Sequence, residues 1–407
     1  MTDTTYDVLI IGGGASGLLC ARECARCGLK TLVLEKEPLV GRKILASGNG
    51  RCNLTNTRVS PAYYHADPAL ISAALSQFSY EDCHNYFEQL GVLLTEEENG
   101  RIFPSTGKAT AVLDALKLAA AESGAEILIN QTATDIKNGP FFTIKTKSGE
   151  TFTTKHLVLA CGSCAYPQLS GTDSGYKLAR AFGHHITPLH PSLSGLCLKE
   201  NFSRLSGIRA QVRLSAATNP KVETEGEIIF TAYGINGPAA LNASGTLARA
   251  LDKGPVSIHL NFFPQLADPQ AFFEKRLQLF SARKPKDFLA GMLHESIANL
   301  LVDFKGLRKN KSMKEQFPSV VEQALQTLCH WPATVTSLRP WNEAMVTAGG
   351  VNLKEINYNT FESLLCPRLY IIGELLDVDG QSGGFNLHFA WASAVCAAKH
   401  LSQENRV

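Results

Sequence analysis

Tyr6-Asp7-Val8-Leu9-Ile10-Ile11-Gly12-Gly13-Gly14-Ala15-Ser16-Gly17-Leu18-Leu19 is the stretch that decides the fold. Its first six residues form a short apolar run rich in β-branched side chains, which predicts a buried strand. A tight glycine turn follows, and residues 18–25 have a good helix composition. Thr31-Leu32-Val33-Leu34-Glu35 is then a second strand that ends on an acid. Strand, G-x-G-x-x-G turn, helix, strand and acid in that order make a dinucleotide-binding βαβ unit.

Each residue type has a physical reason to be there. Gly12 allows the tight turn, Gly14 lets a pyrophosphate approach the backbone, and Gly17 lets the helix pack close to the strand. The free N–H groups around Ala15 and Ser16, with the positive helix end, face the phosphates. Glu35 stands 18 residues after Gly17, where a carboxylate accepts from ribose hydroxyls and repels a 2′-phosphate. NADP is therefore disfavoured at this turn, and Lys36 joins Glu35 as an expected cofactor-binding residue.

Composition bounds the rest. At 407 residues, 44% hydrophobic and 19% charged, the chain is globular and long enough for two or three domains. No apolar run approaches the ~18 residues of a membrane span, and the early first strand leaves no leader peptide expected. Eleven irregularly spaced cysteines suit reduced thiols and a cytoplasmic location. Cys20, Cys24 and Cys27 share one helix face, and without nearby histidines no metal is expected. Residues 271–315 hold ten Lys or Arg against five Asp or Glu, a local +5 in a chain of net +2. The densest part, Lys305 to Lys314, reads either as a solvated helix end or as a surface for an anionic partner such as RNA.

The pattern along the chain places the pieces. A polar, glycine-rich loop spans residues 38–56, and residues 68–91 and 109–123 read as helices. Short strands from 126 to 155, with turns at Asn138-Gly139 and Ser148-Gly149, read as a β-meander. Residues 156–160 form a buried strand. Residues 192–263 read as strands, 268–330 as helices, 369–373 as a parallel-type strand and 387–401 as the last helix. The expected fold class is α/β. One Rossmann nucleotide-binding domain uses both chain ends (1–190 and 346–407). A β-rich domain (191–265) and a helical domain (266–345) are inserted between them.

Two further segments carry chemistry. Gly373-Glu374 leads through Asp377 to Gly383-Gly384-Phe385-Asn386, a strand, an acid, a glycine loop and a helix start. Backbone N–H groups near Gly383, Gly384 and Asn386 can face a flavin's O2/N1 edge, where charge builds on reduction, and Asp377 can accept from a ribityl hydroxyl. In residues 41–53, Arg42 and Lys43 can neutralise phosphates or an anionic substrate. Ser47-Gly48-Asn49-Gly50 offers closely spaced donors beside a planar ring. Arg51 is positioned for the flavin edge or the substrate. Cys52 reads as a small packing residue or, with its pKa lowered by arginines, as a proton donor or redox thiol. Cys161-Gly162-Ser163-Cys164 matches C-x-x-C.

Gly12 to Gly17, Gly41-Arg42-Lys43-Ile44-Leu45-Ala46-Ser47-Gly48-Asn49-Gly50-Arg51-Cys52-Asn53, Tyr166-Pro167, Phe230-Thr231 with Gly237-Pro238, and Gly373 to Asn386 occur in this order. In this the chain resembles the BaiN-like NAD(P)/FAD-dependent flavoproteins, a group that includes the aminoacetone oxidase family. The resemblance spans essentially the whole chain. It implies FAD, a glutathione-reductase-like FAD domain and an inserted domain pair. Ala133, Gly162 and Asn53 complete the expected cofactor-binding set.

Two departures stand out. Ala160-Cys161-Gly162-Ser163 replaces the family's Ala-Thr-Gly-Gly, which a turn of backbone contacts tolerates. Phe230-Thr231-Ala232 replaces Phe-Thr-His, so a mechanism using that histidine does not transfer.

The expected activity is an FAD-dependent oxidoreductase that moves a hydride between flavin and substrate, with NAD(P)H as a transient reductant. Three uses of such a site stay open: a small-molecule substrate, formation of dihydrouridine in ribosomal RNA as in some relatives, and a flavin-binding redox sensor without turnover.

Overall fold

The computed structural model describes residues 5–404. Residues 1–4 and 405–407, which the sequence reading placed in the nucleotide-binding domain, lie outside the described residues. The chain forms two compact units, one from Met1–His190 with Met345–Val407 and one from Pro191–Ala344.

The first unit is built on one sheet. Its order is Glu126–Leu128, Thr31–Leu34, Thr5–Ile11, Thr151–Leu159, Phe142–Thr146, Ala133–Lys137, with Leu369–Ile371 also pairing with Thr151–Leu159. Val8, Leu9, Ile10, Leu32 and Val33 are fully buried, as both-face-covered parallel strands require. Register sets the site: Ile11 stands opposite both Leu34 and Leu159, and Leu159 opposite Ile371. Four strands thus end at one level, and Gly12, Glu35, Ala160 and Ile372 emerge together, with Gly373 next. Ligands bind at this carboxyl edge in open α/β sheets. Helices Ala15–Arg26 and Phe385–Glu404 pack against each other, and Ala109–Glu122 packs on the first of them.

Two local readings need correction and the helical reading of residues 68–91 gains a break. Glu126–Leu128 is not part of the meander; it pairs in parallel with Thr31–Leu34, because Ala109–Glu122 supplies a helical crossover before it. Residues 68–91 are two helices, Pro68–Gln77 and Tyr80–Gln89. Ser79 starts the second with a full capping box to Asp82. The loop expected at 38–56 contains a helical turn, Arg42–Gly50, in which Gly48 and Asn49 are left-handed.

In the second unit, Leu196–Leu198, Gly234–Asn236, Val222–Thr231, Arg209–Ala216, Val256–Asn261 and Trp331–Leu338 close a barrel. The helices Pro269–Phe280, Pro285–Leu289, Glu295–Lys305 and Pro318–Cys329 sit between its last two strands in sequence. The barrel and helices share one core, in which Phe230, Leu260 and Trp331 join Ile297, Leu301 and Leu328. A boundary at 265/266 therefore does not separate two cores. Within the stretch read as strands, Pro238–Leu251 is a helix; its Ala- and Leu-rich run behind a first-turn proline favours that state. Among the described residues, no helix is long and apolar enough to cross a membrane.

Candidate functional site

The three glycines of the G-x-G-x-x-G pattern divide into two structural ones and one that faces space. Gly12 has φ +110°, and a Cβ there would overlap the Ala160 carbonyl. A Cβ on Gly17 would overlap the Gly12 carbonyl oxygen. A Cβ on Gly14 would meet no heavy atom within 4 Å. Gly14 is also the N-cap of Ala15–Arg26, and no side chain caps that helix. The first N–H groups of a helix have no partner within it, so an uncapped start beside open space suits an anion. Gly162, left-handed at φ +70°, likewise meets nothing within 4 Å.

Glu35 is held in place by backbone donors. Its Oε2 accepts from Gly13 N at 2.7 Å and its Oε1 from Glu37 N at 2.9 Å. The carboxylate is thus fixed against the turn at the strand end where a ribose is expected. Lys36 and Arg42 are engaged by the 168–172 loop. Lys36 Nζ donates to the Ser170 carbonyl at 2.7 Å, and Arg42 reaches Ser170 Oγ at 2.6 Å and Glu37 at 2.8 Å.

A second knot joins distant segments. Lys43 pairs with Glu374, which also accepts from Ser163 Oγ at 2.7 Å and Thr347 N at 3.1 Å. Gly373, at φ +69°, lies so close to Ser16 that a Cβ would crowd its hydroxyl. This glycine ties the C-terminal segment to the first turn of the opening helix. Asp377 accepts from Thr187 Oγ1 at 2.9 Å, so in this structure it serves the neighbouring loop. Ala133 begins an outer strand of the sheet and is half-buried.

A third knot ties residues 47–56 to the last helix. The Asn53 amide accepts from Gly384 N at 3.2 Å and donates to the carbonyls of Thr55 and Ile102. Asn56 Nδ2 donates to the Gly383 carbonyl at 2.9 Å. Asn386 clasps Gly380, accepting from its N–H and donating to its carbonyl, both at 2.8 Å. Gly383 and Gly384 have φ +135° and +101°, so this loop favours glycine. Gly48, Asn49 and Gly50 are also left-handed, while Ser47 Oγ turns back onto the Ile44 carbonyl at 2.7 Å.

The two candidate catalytic residues are placed differently from expectation. Arg51 is forked onto Glu97 at 2.7 and 3.2 Å and lies over the Phe103 ring, 4.1 Å from its centroid. Both its charge and its flat face are therefore engaged. Cys52 is completely buried in the core of the first unit, and burial pushes its thiol up to about 12. A thiolate is not formed there at neutral pH, which corrects the expectation of an arginine-lowered pKa. Native protein treated with iodoacetamide at pH 8 should be alkylated at exposed Cys27 and spared at Cys52, as read by peptide mass spectrometry. Labelling of Cys52 at a comparable rate would contradict its burial. Cys161 is also pushed up to about 12 by burial, so the C-x-x-C lacks the low-pKa thiol of a redox pair.

Sequence reasoning passed over several residues that build the third knot. His388 Nδ1 is 2.7 Å from Thr55 Oγ1, and its Nε2 is 3.1 Å from the Phe78 carbonyl. Trp391 Nε1 donates to the Leu54 carbonyl at 3.1 Å, and Tyr64 to the Phe385 carbonyl at 2.9 Å. One signal was present: a histidine and a tryptophan in an otherwise Ala-rich final helix, one and two turns after the glycine pair.

The HI0933-like protein Rossmann domain model matches residues 6–400. The chain is 33% identical to the 3-dehydro-bile acid delta(4,6)-reductase of Clostridium scindens, over 97% of this chain and 98% of that one. It is 30% identical to the ribosomal RNA dihydrouridine synthase of Haemophilus influenzae, again over 97% and 98%. Among solved structures, the 3-ketosteroid delta1-dehydrogenase of Sterolibacterium denitrificans shares the fold. The TM-score is 0.51 at 12% identity, over 98% of this chain and all of that one. By sequence along its whole length and by fold, the chain belongs to the HI0933-like Rossmann family of FAD-dependent oxidoreductases.

Proposed function

We propose that the chain binds one FAD in extended form and moves a hydride between it and a carbon–carbon double bond conjugated to a carbonyl in a small molecule. NAD(P)H is the proposed transient reductant. The observation that carries the reading is the open, uncapped helix start at Gly14, aligned by strand register with Glu35 and Gly373. In this reading the N–H groups of Ala15, Ser16 and Gly17 hold the pyrophosphate, and Glu35 takes the ribose. The 47–50 turn and the Gly383-Gly384 loop flank the flavin ring, while Asn53 and Asn386 hold that loop in shape. Ala133, Gly162, Lys43 and Glu374 complete the cofactor's surroundings. The flavin supplies or accepts the hydride when bound; the protein's part is binding, orientation and electrostatics.

The substrate class rests on chemistry shared by the full-length relatives. A bile-acid delta(4,6)-reductase and a dihydrouridine synthase are both named for saturating a double bond conjugated to a carbonyl. The small molecule is favoured over RNA because three lysines of the basic segment are already paired with its own carboxylates. Lys309 pairs with Asp303 at 2.6 Å, Lys311 with Glu315 at 3.4 Å, and Lys286 with Glu295 at 2.6 Å. The RNA reading keeps one observation of its own, the 30% full-length identity to a dihydrouridine synthase.

The test is anaerobic stopped flow. NADH or NADPH should bleach the flavin, and a steroid 4,6-dien-3-one should then restore its absorbance at least tenfold faster than a uridine-containing ribosomal RNA fragment. The reverse order would favour RNA. An oxidised flavin unmoved by either nicotinamide would remove NAD(P)H from the scheme. Replacing Arg308, Lys309 and Lys311 by Ala should change the dienone rate by less than twofold. If RNA is the substrate, the same triple variant should instead bind it more weakly and with a shallower salt dependence.

A further inference from the structure

We infer that Lys36 and Arg42 act on FAD as positioning residues, by fastening the loop of residues 163–172 as a strap beside the adenosine end of the cofactor; this rests on the function proposed above. The strap sets how fast FAD leaves. Neither cation is a phosphate ligand in this reading.

The donors of both side chains are committed to the loop. Lys36 Nζ donates to the Ser170 carbonyl at 2.7 Å and to Thr172 Oγ1 at 3.1 Å. Arg42 donates through Nη1 to Ser170 Oγ at 2.6 Å and to Glu37 at 2.8 Å, and through Nη2 to the Gln168 carbonyl at 3.1 Å. Glu37 also balances the guanidinium charge. A pyrophosphate oxygen would have to draw these donors away from three loop residues.

The loop needs such fasteners. Tyr166 and Ser170 are both left-handed, at φ +56° and +79°, a conformation that costs an L-residue energy and persists where the surroundings hold it. Here the chain doubles back on itself. Leu169 N and Gly171 N both donate to the Tyr166 carbonyl, at 2.8 and 3.1 Å, and Thr172 N donates to the Ser163 carbonyl at 3.0 Å. A Cβ on Gly171 would lie 2.0 Å from the Ala165 carbonyl oxygen. These bonds make a compact turn with Pro167 and Gln168 exposed, and Lys36 and Arg42 moor its tip.

The mooring point is the proposed cofactor edge. Lys36 and Glu37 directly follow Glu35, the carboxylate assigned to the ribose, and Glu37 N donates to it at 2.9 Å. The loop departs from Gly162, which faces open space as Gly14 does. Gly162 stands just past Ala160, whose carbonyl packs against Gly12. The strap therefore runs from the proposed pyrophosphate turn to the proposed ribose carboxylate. A cofactor with its phosphates at Gly14 and its ribose on Glu35 lies along that span.

The test uses wild type, Lys36→Met, Arg42→Met, Ser170→Ala and the Arg42→Met/Ser170→Ala double variant, each loaded with FAD. Stopped-flow flavin fluorescence gives the association rate, and fluorescence change on dilution gives the release rate. Lys36→Met and Arg42→Met should each release FAD about tenfold faster, the size of one lost hydrogen bond to a charged group, with association changed less than about threefold. Ser170→Ala removes no charge, yet should also speed release, and the double variant should go no more than about twofold beyond Arg42→Met, because the two share one contact. With FAD bound, chymotrypsin should cut after Leu169 at least fivefold faster in Arg42→Met than in wild type. Release from Ser170→Ala at the wild-type rate, as direct phosphate ligation requires, would overturn the strap. So would unchanged cleavage after Leu169 in Arg42→Met. Wild-type protein that retains no FAD would overturn the proposed function, and the strap with it. Ser170→Ala and Lys36→Met keep the test open should Arg42→Met fold poorly.

Discussion

Gly14→Ala is expected to weaken FAD binding at least tenfold, or 1.4 kcal/mol, while leaving the flavin-free protein within about 1 kcal/mol of wild-type stability. The new methyl enters space where no protein atom lies within 4 Å, so folding pays only the modest N-cap preference of glycine over alanine. A pyrophosphate on the first helical N–H groups would occupy that same space. Gly17→Ala is expected to do the opposite. Its methyl would overlap the Gly12 carbonyl oxygen, backbone atoms held by strand pairing and by Gly12 N donating to the Leu34 carbonyl at 2.9 Å. The expected loss is about 3 kcal/mol or more, at the upper end of overpacking effects. Urea melts of flavin-free protein and flavin titration of whatever remains folded separate the two. Equal loss of stability in both variants would remove the argument that Gly14 faces a ligand.

The second large effect is expected in acid. Burial holds the His388 imidazole down to about 4 from an ordinary 6.5. Its Nε2–H donates to the Phe78 carbonyl, so Nδ1 must accept from the Thr55 hydroxyl. Protonating Nδ1 would force that hydroxyl to turn from donor to acceptor and would place a charge in a fully buried site. The folded pKa lies below the unfolded one, so the stabilisation is complete above about pH 6.5 and is lost as pH falls toward 4. At 1.36 kcal/mol per unit the loss is about 3 kcal/mol. His156 and His184, also held down chiefly by burial, add slope in the same direction. Comparison with His388→Gln therefore isolates this residue. That variant should be less stable at pH 7, yet lose about 3 kcal/mol less between pH 7 and pH 4. Parallel pH profiles would show that His388 is not held neutral. Thr55 adjoins the Asn53–Gly384 contact, so flavin release should accompany the acid loss.

The Rossmann half was legible because its signals are local. The strand at Thr5–Ile11, the turn and the helix Ala15–Arg26 follow from residues adjacent in sequence, and the glycine spacing states the turn's geometry. Gly373 to Asn386 was also readable as a strand, glycine loop and helix. The pairing of the preceding strand, Leu369–Ile371, with Thr151–Leu159 was a matter of topology alone. The barrel was harder. Its closing strand, Trp331–Leu338, follows four helices, so no run of alternating residues connects it to Val256–Asn261, its partner.

The surroundings of the two candidate catalytic residues were illegible for a different reason. Arg51 and Cys52 were judged by chemical type, but fate in the fold depends on partners distant in sequence. Glu97 and Phe103 take Arg51, and the core encloses Cys52.

The central claim is that this chain is an FAD protein, and cofactor identification tests it most directly. Protein purified without added flavin, or incubated with FAD and desalted, is denatured, and the released cofactor is identified and counted by chromatography and absorbance. One FAD per chain is the predicted result, with FMN and NADP failing to compete for the site. A chain that retains no flavin after incubation with FAD, or that holds FMN in its place, would contradict the account.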